Sequence, residues 1–246
     1  MRKVMIAAGS AMVMTSSMAM SDVLGVGATV SYWDSDLSGE AANNSDVVDL
    51  ENDLNLSSDG NANLEAYFEH PVPILPNIRL NRTSIEQSGS GELSADFDVI
   101  QGVGSVDVKS DLDLTQFDVT LYYEILDNWA NVDLGITGRT LDGELIVREQ
   151  GGAARVSRTE FEGTIPMGYL AAQIDMPFTG VSVGAQGNII SYDGDSISDF
   201  NAYGQYEISL LRLRAGYRQM SIDYEDSDDT LDVKIGGPFA SVGLTF

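Results

Sequence analysis

A period-two alternation recurs along most of this chain and limits what it can fold into. Leu24, Val26, Ala28, Val30 and Tyr32 alternate with Gly25, Gly27, Thr29, Ser31 and Trp33, and Leu64, Ala66 and Phe68 with Glu65, Tyr67 and Glu69. Phe117, Val119, Leu121 and Tyr123 are set against Asp118, Thr120 and Tyr122; Val132, Leu134 and Ile136 against Asn131, Asp133 and Thr137. Late in the chain, Leu211, Leu213, Ala215 and Tyr217 alternate with Arg212, Arg214, Gly216 and Arg218. Successive side chains of a strand point to opposite faces, so each segment has one apolar face and one polar or small face. After the first residues, no run reaches the ~18 consecutive apolar residues of a transmembrane helix. Charge on every second face fits a barrel with lipid outside and a polar lumen, because the bilayer core tolerates neither outward charge nor unpaired backbone. A soluble, lipocalin-like barrel would turn the apolar face inward instead.

Both ends of the sequence support the membrane reading. Arg2 and Lys3 precede an apolar run from Val4 to Met14 and then Ser17-Met18-Ala19, a small-x-small cleavage pattern. That run is too short to span a bilayer, which predicts a cleaved signal over 1–19, with 1–21 as the alternative, and a barrel domain over 20–246. At the other end, Val242, Leu244 and Phe246 form an alternating apolar series closed by an aromatic residue. It resembles the signal read by the outer-membrane assembly machinery of bacteria. The expected location is therefore the bacterial outer membrane, as a multi-pass protein.

The connections predict the topology. Short links are expected at Pro71 to Asn77, Asp127-Asn128, Pro177 to Gly180 and around Ser209, and long polar ones at Asp34 to Gly60, Ser88 to Ser110, Glu149 to Ser157, Asp193 to Ser196 and Glu225 to Thr230. This gives an all-β fold, a transmembrane antiparallel up-and-down β-barrel of about ten strands, with eight possible if weaker segments merge. An even number puts both termini on the periplasmic side. Trp129, Phe178, Tyr122, Tyr123, Tyr169 and Phe246 fall near predicted strand ends, where aromatic rings suit the membrane interface.

The formal charge of −25 excludes a nucleic-acid partner, which needs concentrated basic surface. Acidic residues gather between Asp34 and Asp59 and between Asp223 and Asp232, as in solvated loops. They offer weak association with divalent cations, but Asp223 to Asp229 lacks the glycine and glutamate placement of an EF-hand loop. The chain has no cysteine, so disulfides and thiolate sites are excluded. Val47-Val48-Asp49-Leu50 and Leu54-Asn55-Leu56 give the first long connection apolar residues with which to dock inside the barrel.

Glu69-His70-Pro71-Val72-Pro73-Ile74-Leu75-Pro76-Asn77-Ile78-Arg79-Leu80, Asp113-Leu114-Thr115, Leu121 to Trp129, Leu213-Arg214-Ala215-Gly216-Tyr217-Arg218 and Gly236-Gly237-Pro238-Phe239 resemble signatures of a proteobacterial outer-membrane β-barrel family named for its Gly-Gly motif. The resemblance spans nearly the whole chain after the signal, and is weakest in the first loop and over Ser88 to Ser110. It implies a barrel in the outer membrane and brings no catalytic residues or activity to map.

The residues that remain to carry function are the inward charges. Glu65, Glu69, Arg79, Asp118, Glu124, Asp133, Arg139, Arg212, Arg214 and Arg218 are predicted to line the lumen. They support a narrow channel or conduit for small solutes. The alternative is a packed barrel, rigidified by salt bridges, that anchors acidic loops for a surface or envelope role. The one histidine, His70, sits in a proline-rich turn at the periplasmic rim, which argues against Ser/His/Asp catalysis and predicts no enzyme. No cofactor is expected. The expected partners are outer-membrane lipid and lipopolysaccharide, and the assembly machinery.

Overall fold

The computed structural model describes residues 24–43, 46–58, 60–94, 100, 105–151, 155–226 and 229–246. The expected signal and its cleavage positions lie outside the described residues. Ten antiparallel strands form a closed cylinder: β1 (Gly25–Trp33), β5 (Asn61–Glu69), β6 (Asn77–Leu93), β7 (Val106–Leu126), β8 (Ala130–Glu149), β9 (Val156–Met176), β10 (Val181–Tyr192), β11 (Asp195–Ile208), β12 (Leu211–Asp226) and β13 (Asp229–Thr245). Each pairs with the next, and β13 closes the ring on β1 from Gly27↔Thr245 to Trp33↔Phe239. Around the apolar belt, closure leaves no free sheet edge, which is the condition for placing strands in lipid.

Three shorter strands, β2 (Asp36–Asn43), β3 (Asp46–Asp49) and β4 (Leu56–Ser58), belong to the first long connection. β2 continues β1 in the same register on β13, with Asp36 opposite Gly236. The interruption falls opposite Pro238, which has no N–H to give; the Asp34 N–H still donates to the Pro238 carbonyl at 3.0 Å. At the neighbouring Gly237, a Cβ would stand 1.8 Å from the Asp34 carbonyl oxygen, so the close approach there requires glycine. On the returning side β4 pairs with β6 one residue out of step with β5. The step is at Gly60, whose φ of 99° is the positive-φ bulge position that glycine fills.

Alternation orients the wall. Val30, Leu64, Leu80, Val119, Leu134, Leu170, Leu213 and Val242 are exposed on the outside, while the residues between them face the lumen. One end carries the short turns: Pro71 to Pro76, Asp127 to Trp129, Pro177 to Gly180, and Ser209-Leu210. In the first of these the Val72 N–H donates to His70 Nδ1 at 3.2 Å, so the ring proton sits on Nε2 and faces the Pro76 carbonyl at 3.2 Å. His70 is therefore a turn residue.

The opposite end differs from the expected pattern of long loops. Ser88 to Ser110 is strand at both ends, with β6 running to Leu93 and β7 starting at Val106. Asp193-Gly194 is a two-residue hairpin turn with φ of 54° and 103°, the mirror-image geometry that Asp-Gly favours. β6 to β9 contain 17, 21, 20 and 21 residues, against the ~9–11 that cross a bilayer. Ser88 to Leu93 and Val106 to Ser110, read as loop, are thus strand, and they top a β-wall of β6 to β9 that stands beyond the apolar belt. On its outer face Glu86, Asp113, Glu144 and Glu160 lie directly opposite one another on β6, β7, β8 and β9.

Candidate functional site

The lumen is occupied at three levels. At the turn end, Glu69, Arg79, Glu124, Asp133, Arg212 and Arg214 line a polar chamber of about 200 Å³, and its mouth opens past His70 and Phe246. Arg212 donates to Glu207 at 3.2 Å and lies over the Tyr67 ring at 5.5 Å. Arg214 donates to Gln205 at 2.5 Å, lies over Tyr203 at 4.4 Å and reaches Glu65 at 4.0 Å. Arg79 forms the roof: its guanidinium lies 5.0 Å from the Tyr122 centroid and 5.3 Å from that of Tyr169, and it donates to the Tyr169 hydroxyl and to Gln186. Such ring contacts help a cation leave water.

The middle level is an ionic crossbar. Arg139 on β8 donates to Asp118 on β7 through Nε and Nη2, at 2.9 and 2.8 Å, and the same Nη2 reaches Asp199 on β11 at 2.8 Å. β9 and β10 stand between β8 and β11 in the wall, so this contact crosses the interior. Arg218 on β12 grips Asp199 through Nε and Nη2, at 2.9 and 2.7 Å, and donates across to Thr83 on β6 at 3.1 Å. Two arginines and two aspartates balance in charge, and the paired fork geometry is the strong form of such contacts. Arg139 is wholly buried and Asp118 and Asp199 nearly so. The space left around the crossbar is about 70 Å³, enough for a few waters.

Above the crossbar the filling becomes apolar. Arg218 lies over the Trp33 ring at 4.6 Å, and Trp33 donates to the Gly237 carbonyl at 3.2 Å. Trp33 opens a buried cluster in which Leu37, Val48, Leu50, Leu54 and Leu56 of the first connection pack on Ile85, Leu93, Val108, Leu114, Val147, Met220, Val233 and Ile235 of the wall. Burying each such side chain contributes about 1.5–3 kcal/mol. Two glycines of β6 make the bed for this plug. A Cβ on Gly89 would lie 2.2 Å from the Asn55 carbonyl oxygen, and one on Gly91 would lie 2.0 Å from that of Asp53. The loop's turn is held by Asp49, whose carboxylate accepts from the Glu51 and Asn52 N–H groups and the Asn52 side chain.

No family model and no curated protein matches the chain. Among solved structures it is similar to the outer membrane protease OmpT from Escherichia coli, with 10% identity, coverage of 90% of this chain and 97% of that one, and a TM-score of 0.58. Similarity also extends to the translocator domain of the autotransporter NalP from Neisseria meningitidis, at 12% identity, 98% and 97% coverage and a TM-score of 0.47. A third is the toluene transporter TodX of P. putida, at 10% identity, 91% and 90% coverage and a TM-score of 0.32. The fold is that of an outer-membrane β-barrel.

All ten lumen residues expected from the sequence face the interior of this barrel, but at different depths. Asp118, Arg139 and Arg218 join in the crossbar; Glu65, Arg79 and Arg214 lie beneath it; Glu69, Glu124, Asp133 and Arg212 ring the lower chamber. Tyr122 and Tyr169, expected at the membrane interface, are buried inside, because their parity matches Asp118 on β7 and Gln173 on β9. Val242, Leu244 and Phe246 are exposed on the outer face, and Phe246 exchanges two backbone hydrogen bonds with Val26. Sequence reasoning missed Asp199, the hub of the crossbar. The signal was present: Asp199, Asn201, Tyr203, Gln205 and Glu207 alternate with Phe200, Ala202, Gly204, Tyr206 and Ile208.

Proposed function

We propose that this protein is a closed, non-conducting outer-membrane barrel with a surface or envelope role, holding the acidic β6–β9 wall outside the bilayer. One observation carries the reading. The charged crossbar and the apolar plug obstruct the same lumen in succession, so a solute would have to displace a balanced ion network and then a hydrophobic core. The engagement of both His70 ring nitrogens within its turn supports a non-enzymatic role.

A narrow conduit for small solutes is the second reading, favoured by the polar chamber open at the turn end. Planar-bilayer recording of folded protein separates the two. The closed reading expects silence from the wild type and from Arg214→Ala. Discrete conductance changed by Arg214→Ala overturns it and establishes the conduit.

A further inference from the structure

We propose that the outer wall carries a seat for one anionic lipid, with a lipid phosphate on Arg82 and an acyl chain in the hollow beside it. The hollow measures about 700 Å³ and is lined almost wholly by apolar atoms. Ala28 and Ala66 face each other across β1 and β5 and form its floor, between the larger Val30, Leu64, Leu80 and Leu244. The rows on either side carry the bulkier Val30 and Leu64, and Val26 and Phe68, so these two alanines leave a recess between them.

Arg82 stands at the edge of this recess, and its surroundings set its depth. On β6 the outward residues run Ile78, Leu80, Arg82, Ser84, Glu86, and on β7 the outward series in the same direction is Leu121, Val119, Phe117, Thr115, Asp113. Arg82 pairs with Leu64 on one side and Phe117 on the other, in the last apolar row before the wall turns polar. That is the depth of the lipid headgroups. Arg79, Arg139, Arg212, Arg214 and Arg218 all have side-chain acceptors inside the barrel, and Arg148 and Arg158 pair with Asp111 and Glu144 on the outer wall. The Arg82 side chain has no hydrogen bond or ion pair among the described residues. A guanidinium at headgroup depth without a protein acceptor matches a phosphate with two forked donors.

Charge decides against a second copy of the chain as occupant. A two-fold interface would bring the same patch together on both sides, burying two guanidiniums. Glu65, the carboxylate that touches the hollow, directs its charge inward to Arg214 at 4.0 Å. An anionic lipid supplies the missing charge and the chain together.

Native mass spectrometry of the purified protein, incubated separately with phosphatidylglycerol and with phosphatidylcholine, tests the seat. One phosphatidylglycerol is expected to be retained about fivefold better than phosphatidylcholine, the size of one basic contact at a membrane surface. Arg82→Ala should erase that preference, Arg82→Lys should keep most of it, and Ala66→Leu should lower retention of both lipids by filling the hollow. Heat-modifiable migration in gels verifies that each variant is folded. Equal retention of phosphatidylglycerol by wild type and Arg82→Ala overturns the proposal, as does a wild-type dimer that excludes lipid.

Discussion

Arg139 and Asp118 stand opposite each other on β8 and β7 and join through two parallel hydrogen bonds inside the barrel, with the guanidinium fully removed from solvent. Removing one member of such a pair leaves the other charge buried without compensation, which costs about 3–5 kcal/mol. Arg139→Ala is therefore expected to lower the urea midpoint of the folded barrel by the equivalent of that amount. The double variant Arg139→Met with Asp118→Leu should recover much of it. A single variant that unfolds at the wild-type midpoint would show that water replaces the lost partner.

The plug rests on backbone contact with Gly89 and Gly91. Gly89→Ala combined with Gly91→Ala places methyl groups where the carbonyls of Asp53 to Asn55 now lie, so the loop must lift. Limited proteolysis should then cut between Asp46 and Gly60 at least tenfold faster than in wild type, with the barrel itself intact. Leu54→Ala, which empties a fully buried position, should act in the same direction, since such truncations remove about 2–5 kcal/mol of packing.

Carboxylates placed directly opposite one another in a sheet oppose its stability. Asp113 has Glu86 on one side and Glu144 on the other, and Arg158 relieves only the far end of the row by bonding Glu144. Asp113→Asn should stabilise the barrel by about 0.2–1 kcal/mol, the usual size of a cross-strand pair term. The gain should shrink with added salt, because these groups are exposed and screened. A gain independent of salt would point to packing instead.

The turn after β3 is a site of acid sensitivity. Hydrogen bonds from the Asn52 side chain and backbone, and from the Glu51 backbone, hold the Asp49 carboxyl below its ordinary value of 3.8. A carboxyl depressed in the folded state stabilises the turn at pH above 3.8, and that contribution disappears as pH falls through the lowered value. Protection of the Glu51 and Asn52 amides from hydrogen exchange, corrected for the intrinsic pH dependence of exchange, should fall over that acidic window. It should be low and flat with pH in Asp49→Asn.

Much of this architecture was legible because period two is a strong signal wherever apolar and charged residues alternate, as at Leu64 to Glu69 or Leu211 to Arg218. The same signal placed Arg139 and Asp118 on the lumen face. It could not show that Arg139 meets Asp199, because that contact crosses the interior between strands that are not neighbours. Wall height was misread for a different reason. Ser88 to Leu93 and Val106 to Ser110 are polar on the outside, and above the membrane a strand needs no outward apolar face. Tyr122 illustrates a third limit, since an aromatic residue near a strand end suits the lipid interface and the lumen equally well until register decides.

β13 holds two partners in succession, β1 along its lower half and β2 along its upper half, across Gly237 and Pro238. The strand that seals the cylinder is thus also the one that anchors the lid. Neither the seam nor β2 of the lid has its partner until β13 is in place. Seam and lid are consequently coupled in assembly, since one hairpin, β12 with β13, welds the wall and locks the cap together.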